Sequence, residues 1–191
     1  MTRPMPPARL LASCLAVVAA LPLAGCFDKE DYTALGETEG IYVTVDQLKY
    51  QVQLSRILNP ASAEDQGYLH GVPPGEEELE QDEVWFGIFM RIENDSDEPH
   101  PAAEEFVIHD TQEGEFEPLE LDAESNMFAY EPQELPPGEL LPELGSPASD
   151  NTIRGSLVLF KVRTGSLYNR PLELEIASPT GGENGIVELD V

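Results

Sequence analysis

Beyond residue 40, hydrophobic and polar residues alternate along most of the chain. Ile41, Val43 and Val45 alternate with polar neighbours, and Leu48, Tyr50, Val52 and Leu54 then do the same. A period of two marks a strand with one buried face, and the change of phase at Asp46-Gln47 predicts a turn or bulge between two strands. The strongest signal lies at 84–93. There Val84, Phe86, Ile88, Met90 and Ile92 form one face, and Trp85, Gly87 and Phe89 the other, until Arg91 and Glu93 turn polar. Further strands are expected at 106–110, from Phe116, and at 126–130, 153–162, 172–176 and 186–191.

The connections are rich in turn residues. Asn94 to Pro99 is a polar turn, and Gln112-Glu113-Gly114 reads as a tight hairpin turn. Two stretches are too long for simple connections. In 60–83, Asn59-Pro60 opens a short helical turn, Gly71-Val72-Pro73-Pro74-Gly75 breaks the chain, and six acids follow in the eight residues 76–83. Residues 131–151 are a Pro/Gly-rich loop. Both read as loop insertions, a length that is functional or mobile when it occurs in a compact domain. About seven to eight short strands, turns and no long helix predict an all-β, antiparallel β-sandwich over 41–191.

The first 26 residues follow a different pattern. Arg3 and Arg9 precede an almost wholly apolar run at 10–22, the length of a signal-peptide core and too short to span a bilayer. The run closes on Leu23-Ala24-Gly25-Cys26, which resembles the lipobox of bacterial lipoproteins. The resemblance implies cleavage of a signal peptide at 1–25, lipidation of the Cys26 thiol and retention on the extracytoplasmic face of the cell membrane. Acyl chains at about 0.8 kcal/mol per buried CH₂ hold such a protein on the membrane. Residues 26–40, polar and acidic, read as a lipidated tether. The other cysteine, Cys14, lies in the cleaved segment, so the mature chain has no free thiol and no disulfide.

Charge narrows the function classes. The 191 residues carry 37 Asp+Glu against 10 Lys+Arg, a net charge of −27, and loss of Arg3 and Arg9 with the signal peptide takes it to −29. Such a surface repels phosphate backbones, so nucleic acid is not an expected partner. The 41% of hydrophobic residues suffices for a packed core.

A set of spaced residues then resembles a known family. A strand closing on Asn94 is followed by Phe106-x-Ile108-x-Asp110-x-x-x-Gly114-x-Phe116, by Leu135-x-Pro137-Gly138, and by Gly155-x-Leu157-Val158-x-Phe160-x-Val162. Their order is similar to that of the telokin-like, immunoglobulin-like domain of unknown function common in bacterial lipoproteins. The resemblance spans roughly 41–191 and implies an immunoglobulin-like sandwich. It implies no reaction and no catalytic residues.

Chemical motifs are otherwise absent. No nucleophile elbow, HExxH pair, Walker loop or dinucleotide-binding loop occurs, and His70, His100 and His109 stand on separate segments without ligand spacing. No catalytic residue is expected and no cofactor is required. Calcium is the sharper alternative, since hard cations take several oxygen ligands from flexible segments; Asp95 and Asp97 are the candidates, although EF-hand spacing is missing. A recognition surface is the third possibility, with Tyr68, Leu69 and His70 in the insertion as partner-binding candidates. The expectation is a lipid-anchored, non-catalytic binding or accessory module of the cell envelope. Its partners would be the membrane, through Cys26, and an envelope protein or ligand. A calcium binder is the alternative, and an envelope hydrolase a weaker one.

Overall fold

The structure, a computed structural model, describes residues 1–2 and 34–191. Residues 3–33, where the sequence leads one to expect a signal peptide, a lipobox with Cys26 and most of a tether, lie outside the described residues. Strands β1 (Leu35–Gly36), β2 (Tyr42–Val45), β3 (Leu48–Leu58) and β4 (Glu83–Glu93) come first. Next are β5 (His100–Pro101), β6 (Phe106–His109), β7 (Glu115–Phe116), β8 (Pro118–Leu119), β9 (Glu134–Leu135) and β10 (Leu140–Leu141). The chain ends with β11 (Ser156–Arg163), β12 (Leu172–Ile176) and β13 (Gly185–Leu189). Two one-turn helices, α1 (Ala63–Gln66) and α2 (Pro147–Asp150), sit in the long connections.

These strands form a β-sandwich. One sheet has the order β1-β13-β12-β6-β7, and the other β2-β3-β4-β11-β8, with β10 beside the end of β4. All pairings are antiparallel except that of β1 with β13. Between the sheets lies a core that includes Val43, Tyr50, Phe86, Ile88, Met90, Phe106, Ile108, Phe160, Leu174 and Val187, each at most 3% exposed. One side of the sandwich is shut by close approach, because a Cβ on Gly185 would lie 2.6 Å from Val45 and 2.7 Å from Val43.

A second apolar cluster lies on the outer face of the second sheet. Leu58, Trp85, Phe89, Leu157 and Leu159 supply its floor, and Tyr68, Leu69, Val72, Leu79, Leu121 and Phe128 cover it. The pair β4–β11 is therefore buried on both faces, which accounts for the apolar residues at Trp85 and Phe89. The segment 60–83, expected as an insertion loop, is the cover of this second core. Apolar strand faces left to water would forfeit roughly 25 cal/mol per Å², so the sheet requires a cover.

A bulge between Val52 and Leu54 fits β3 to this two-sided sheet. Before it, Tyr50 and Val52 face the inner core opposite Ile92 and Met90. After it, Leu54 and Leu58 lie opposite Phe89 and Trp85 and face the outer core. The extra residue reverses the phase, so Leu54 does not share a face with Val52 as its spacing predicts.

Other expectations are revised at the edges. The tether ends earlier than residue 40, since Leu35 and Gly36 pair with Ile186 and Val187. Glu39 then accepts hydrogen bonds from the backbone N–H of Ser55 and of Asp190, both at 3.1 Å. Residues 126–130 form a turn with one bridge, Ala129 to Leu157, rather than a strand, because Asn126 draws the backbone around its own side chain. The loop 131–151 contains β9, β10 and α2. Seven described strands have four or more residues, and six have two.

Asn126, 2% exposed, ties the outer layer together. Its side-chain amide donates to the carbonyls of Tyr68 (3.0 Å) and His70 (2.9 Å), and its oxygen accepts from the Phe128 N–H at 2.9 Å. Asn126→Ala strands one buried and one part-buried carbonyl and should cost about 2 kcal/mol. Urea unfolding measures the loss, and hydrogen exchange should show faster opening at 67–72 than in β4 or β11.

Candidate functional site

The residues singled out by sequence reach different places. Tyr68 is 1% exposed, with its ring edge-on to Phe89 and Phe128 at 4.9 and 4.8 Å and its hydroxyl accepting from the Asn151 amide at 3.0 Å. It is a core residue, not a contact surface, because the apolar face of β4 needs a large ring above Phe89. Leu69 and His70 do line a concavity of about 430 Å³ together with Pro60, Val72, Glu77 and Trp85. Lys161 sits beside that concavity, 5.4 Å from the Trp85 ring centre, and holds Glu76 at 2.8 Å. The acidic stretch 76–83 is thereby fastened to the sheet, and Leu79 packs into the outer core.

Asp95 and Asp97 do not gather a cation site. Asp95 forms an ion pair with Lys49 at 2.7 Å, and hydrogen bonding from that ammonium, first among the causes, lowers its pKa. Asp97 is exposed in the same turn. Among the described residues, no group of three or more His, Cys, Asp or Glu side chains is arranged to hold a metal. His109 lies 3.0 Å from Glu175. Cys26 falls outside the described residues.

The spaced residues Asn94, Asp110, Gly114 and Gly138 serve structure. Asn94, fully buried, donates to the carbonyls of Glu98 (2.8 Å) and Leu135 (2.7 Å) and accepts from the Ser96 N–H and hydroxyl. Its own carbonyl accepts from the Gly138 N–H at 2.8 Å. Asp110 accepts from the backbone N–H groups of Gln112 and Gly114, both 2.8 Å, and from the Asn169 amide at 3.0 Å. Gly114 is required by space, since a Cβ there would lie 2.7 Å from the Asp110 carboxylate. Each is a polar knot joining a strand end to a distant loop.

The concavity with the clearest chemical character lies on the open side of the sandwich. There the chain leaves β7 in one sheet and enters β8 in the other. A cleft of about 350 Å³ opens beside β8, with Phe106 of β6, Leu119 of β8, and Leu157 and Val158 of β11 in its apolar lining and Glu104 and Glu120 among its polar residues. Tyr130 forms its wall. The ring stands edge-on to Phe106 at 5.2 Å, the hydroxyl donates to the Ala103 carbonyl at 2.6 Å, and the backbone N–H donates to Leu157 at 2.8 Å. Burial, then the nearby Tyr50 and Glu104, raises the pKa of the Tyr130 phenol, so it stays a neutral donor. A second, shallower hollow of about 770 Å³ continues from the first through Glu120, Leu121, Tyr130 and Pro132.

Comparison with known proteins adds little chemistry. No family model and no curated protein matches the chain. Among solved structures it is similar to the yjhA protein of Bacillus subtilis, at 9% identity over 81% of this chain and 99% of that one, with a TM-score of 0.49. It is also similar to an uncharacterized β-sandwich protein of Clostridium difficile, at 10% identity over 80% of this chain and 93% of that one, with a TM-score of 0.41.

In the sequence Phe128 and Tyr130 stand near a loop, where an aromatic marks either a partner contact or the core, and nothing there announces the cleft itself. The two hollows draw on residues as far apart as Gly71 and Val158. The crossing from β7 to β8 brings those segments together.

Asp110 gives the pH prediction. Burial alone would raise its pKa, but hydrogen bonds from Asn169, Ser166, Gly114 and Gln112 outweigh burial and hold the carboxyl well below the usual carboxylate range. A carboxyl with a lowered folded-state pKa stabilises above its unfolded value, near 4, and loses that contribution as pH falls toward the folded value. Urea unfolding of Asp110→Asn should therefore show a stability deficit of about 2 kcal/mol at pH 7 that shrinks on acidification below about pH 4. A deficit that stays constant down to pH 2.5 would contradict the assignment.

Proposed function

We propose that this chain is an extracytoplasmic lipoprotein, anchored through lipidated Cys26, whose immunoglobulin-like sandwich is a non-catalytic binding module of the bacterial cell envelope. The anchoring rests on the lipobox pattern at 23–26. Strand β1 begins at Leu35, so nine residue steps separate Cys26 from the sandwich, a reach of at most about 30 Å when fully extended. A tether this short keeps the domain beside its own membrane, within range of neighbouring envelope proteins.

The observation that carries the binding reading is the cleft walled by Tyr130. It combines an apolar floor, a fixed aromatic wall and a few carboxylates at its margin, which is the composition of a recognition site. No nucleophile stands beside a general base there, so the geometry favours holding a ligand over transforming it.

Membrane fractionation tests the anchor. Cys26→Ala should move the protein from the membrane pellet to the soluble fraction or leave it unprocessed; retention at the parent level after normal cleavage would refute the assignment. Extraction of the lipidated protein in mild detergent tests the module. A stoichiometric partner that persists at moderate salt supports it, and a monodisperse protein that retains nothing counts against it.

A further inference from the structure

We infer that the Tyr130 cleft binds a basic peptide segment, one that places an aliphatic or aromatic side chain beside Lys or Arg. The inference deepens the binding-module reading and rests on it. Three features of the site converge. The cleft of about 350 Å³ has room for one or two side chains, and Pro118, Leu119, Leu121 and Pro132 offer them an apolar surface above the buried Phe106, Leu157 and Val158. Two of these, Phe106 and Val158, belong to the core between the sheets, so the cleft is a mouth in the side of the sandwich.

Charge then selects the ligand. Glu104, Glu120, Asp122, Glu124 and Glu131 line the cleft and its continuation, and among the described residues no Lys, Arg or His side chain lines either. An anionic ligand is repelled from such a margin. A neutral apolar ligand gains nothing from the carboxylates, and a bare metal ion finds no ligand cluster among the described residues. A segment with an apolar side chain and flanking cations satisfies floor and margin together.

Shape favours a peptide over a compact cation. The mouth runs on into the hollow of about 770 Å³ through Glu120, Leu121, Tyr130 and Pro132, which makes one elongated depression. Its wall is already in place. Tyr130 is held by its hydroxyl, its ring and its backbone, so binding costs little ordering of the protein.

The test uses the full-length lipidated protein in detergent and fluorescence anisotropy of three labelled hexapeptides. Their sequences are Lys-Lys-Leu-Phe-Lys-Lys, Lys-Lys-Gly-Ser-Lys-Lys and Glu-Glu-Leu-Phe-Glu-Glu. The first should bind at least tenfold more tightly than the second, and the third should not bind. The triple variant Glu104→Gln, Glu120→Gln, Glu131→Gln should weaken the first peptide at least tenfold. All three positions are exposed, so the fold should survive, and the melting temperature checks that it does. A control of equal charge change, Glu77→Gln, Glu78→Gln, Glu80→Gln, should alter binding less than twofold.

Equal weakening by both triples would reduce the attraction to overall charge and overturn the site. Equal binding of the first two peptides, or displacement of the first by equimolar spermine, would overturn the peptide assignment, as would no binding. The wider reading is judged separately, on the partner that co-purifies from the membrane. A partner that the cleft triple retains leaves the module standing and removes the cleft from it.

Discussion

The structure depends on the burial of the β4–β11 pair on both faces. Strand β4 carries Phe86, Ile88 and Met90 toward the second sheet, and Trp85 and Phe89 away from it. A sandwich covers only one of these faces. The chain meets the excess by laying the segments 60–83 and 119–128 across the outer face, with Tyr68 between Phe89 and Phe128. The bulge in β3 follows from the same requirement, since it lets a single strand supply Tyr50 to the inner core and Leu58 to the outer one. What looks like an insertion is thus a third layer, as necessary to the sheet as its partner sheet.

Long irregular segments need polar anchors as well as apolar cover, because backbone groups buried without partners are costly. Here the anchors are short side chains. Asn94 holds the 135–139 segment to the end of β4, Asn126 holds 68–70 to the outer layer, and Asp110 joins the β6–β7 hairpin to the loop before β12. Asp46 does the same for the loop 178–182, accepting from the Thr180 N–H at 3.1 Å and hydroxyl at 2.7 Å. Each side chain replaces a strand's ladder of bonds with a few bonds of its own, to distant backbone for Asn94, Asn126 and Asp46 and to its own hairpin and the Asn169 amide for Asp110. The family-like spacing of Asn94, Asp110, Gly114 and Gly138 therefore marks folding requirements, and it says nothing about a reaction.

The two sides of the sandwich differ in a way that bears on function. One is sealed where Gly185 lets its strand approach Val43 and Val45. On the other, the sheets end on the two-residue strands β7 and β8, and Tyr130 lines the cleft beside β8. An opening onto core residues, set in a strongly acidic surface, combines an apolar contact with an attraction for cations. Those are properties suited to recognition.

Much of the architecture was legible in the chain. Alternation marked β2, β3, β6, β12 and β13, and the two-faced run at 84–93 marked a doubly buried strand, because a strand's side-chain period is set by covalent geometry. The lipobox-like pattern at 23–26 and the charge imbalance are likewise local properties, readable residue by residue. The cover of the outer face, the phase reversal at Leu54, the burial of Tyr68 and the cleft beside Tyr130 were decided only by tertiary structure. Each depends on contacts between segments far apart in sequence, such as Tyr68 with Asn151 or Phe106 with Tyr130. Local pattern shows that a residue seeks burial, but which surface buries it depends on where the rest of the chain comes to lie.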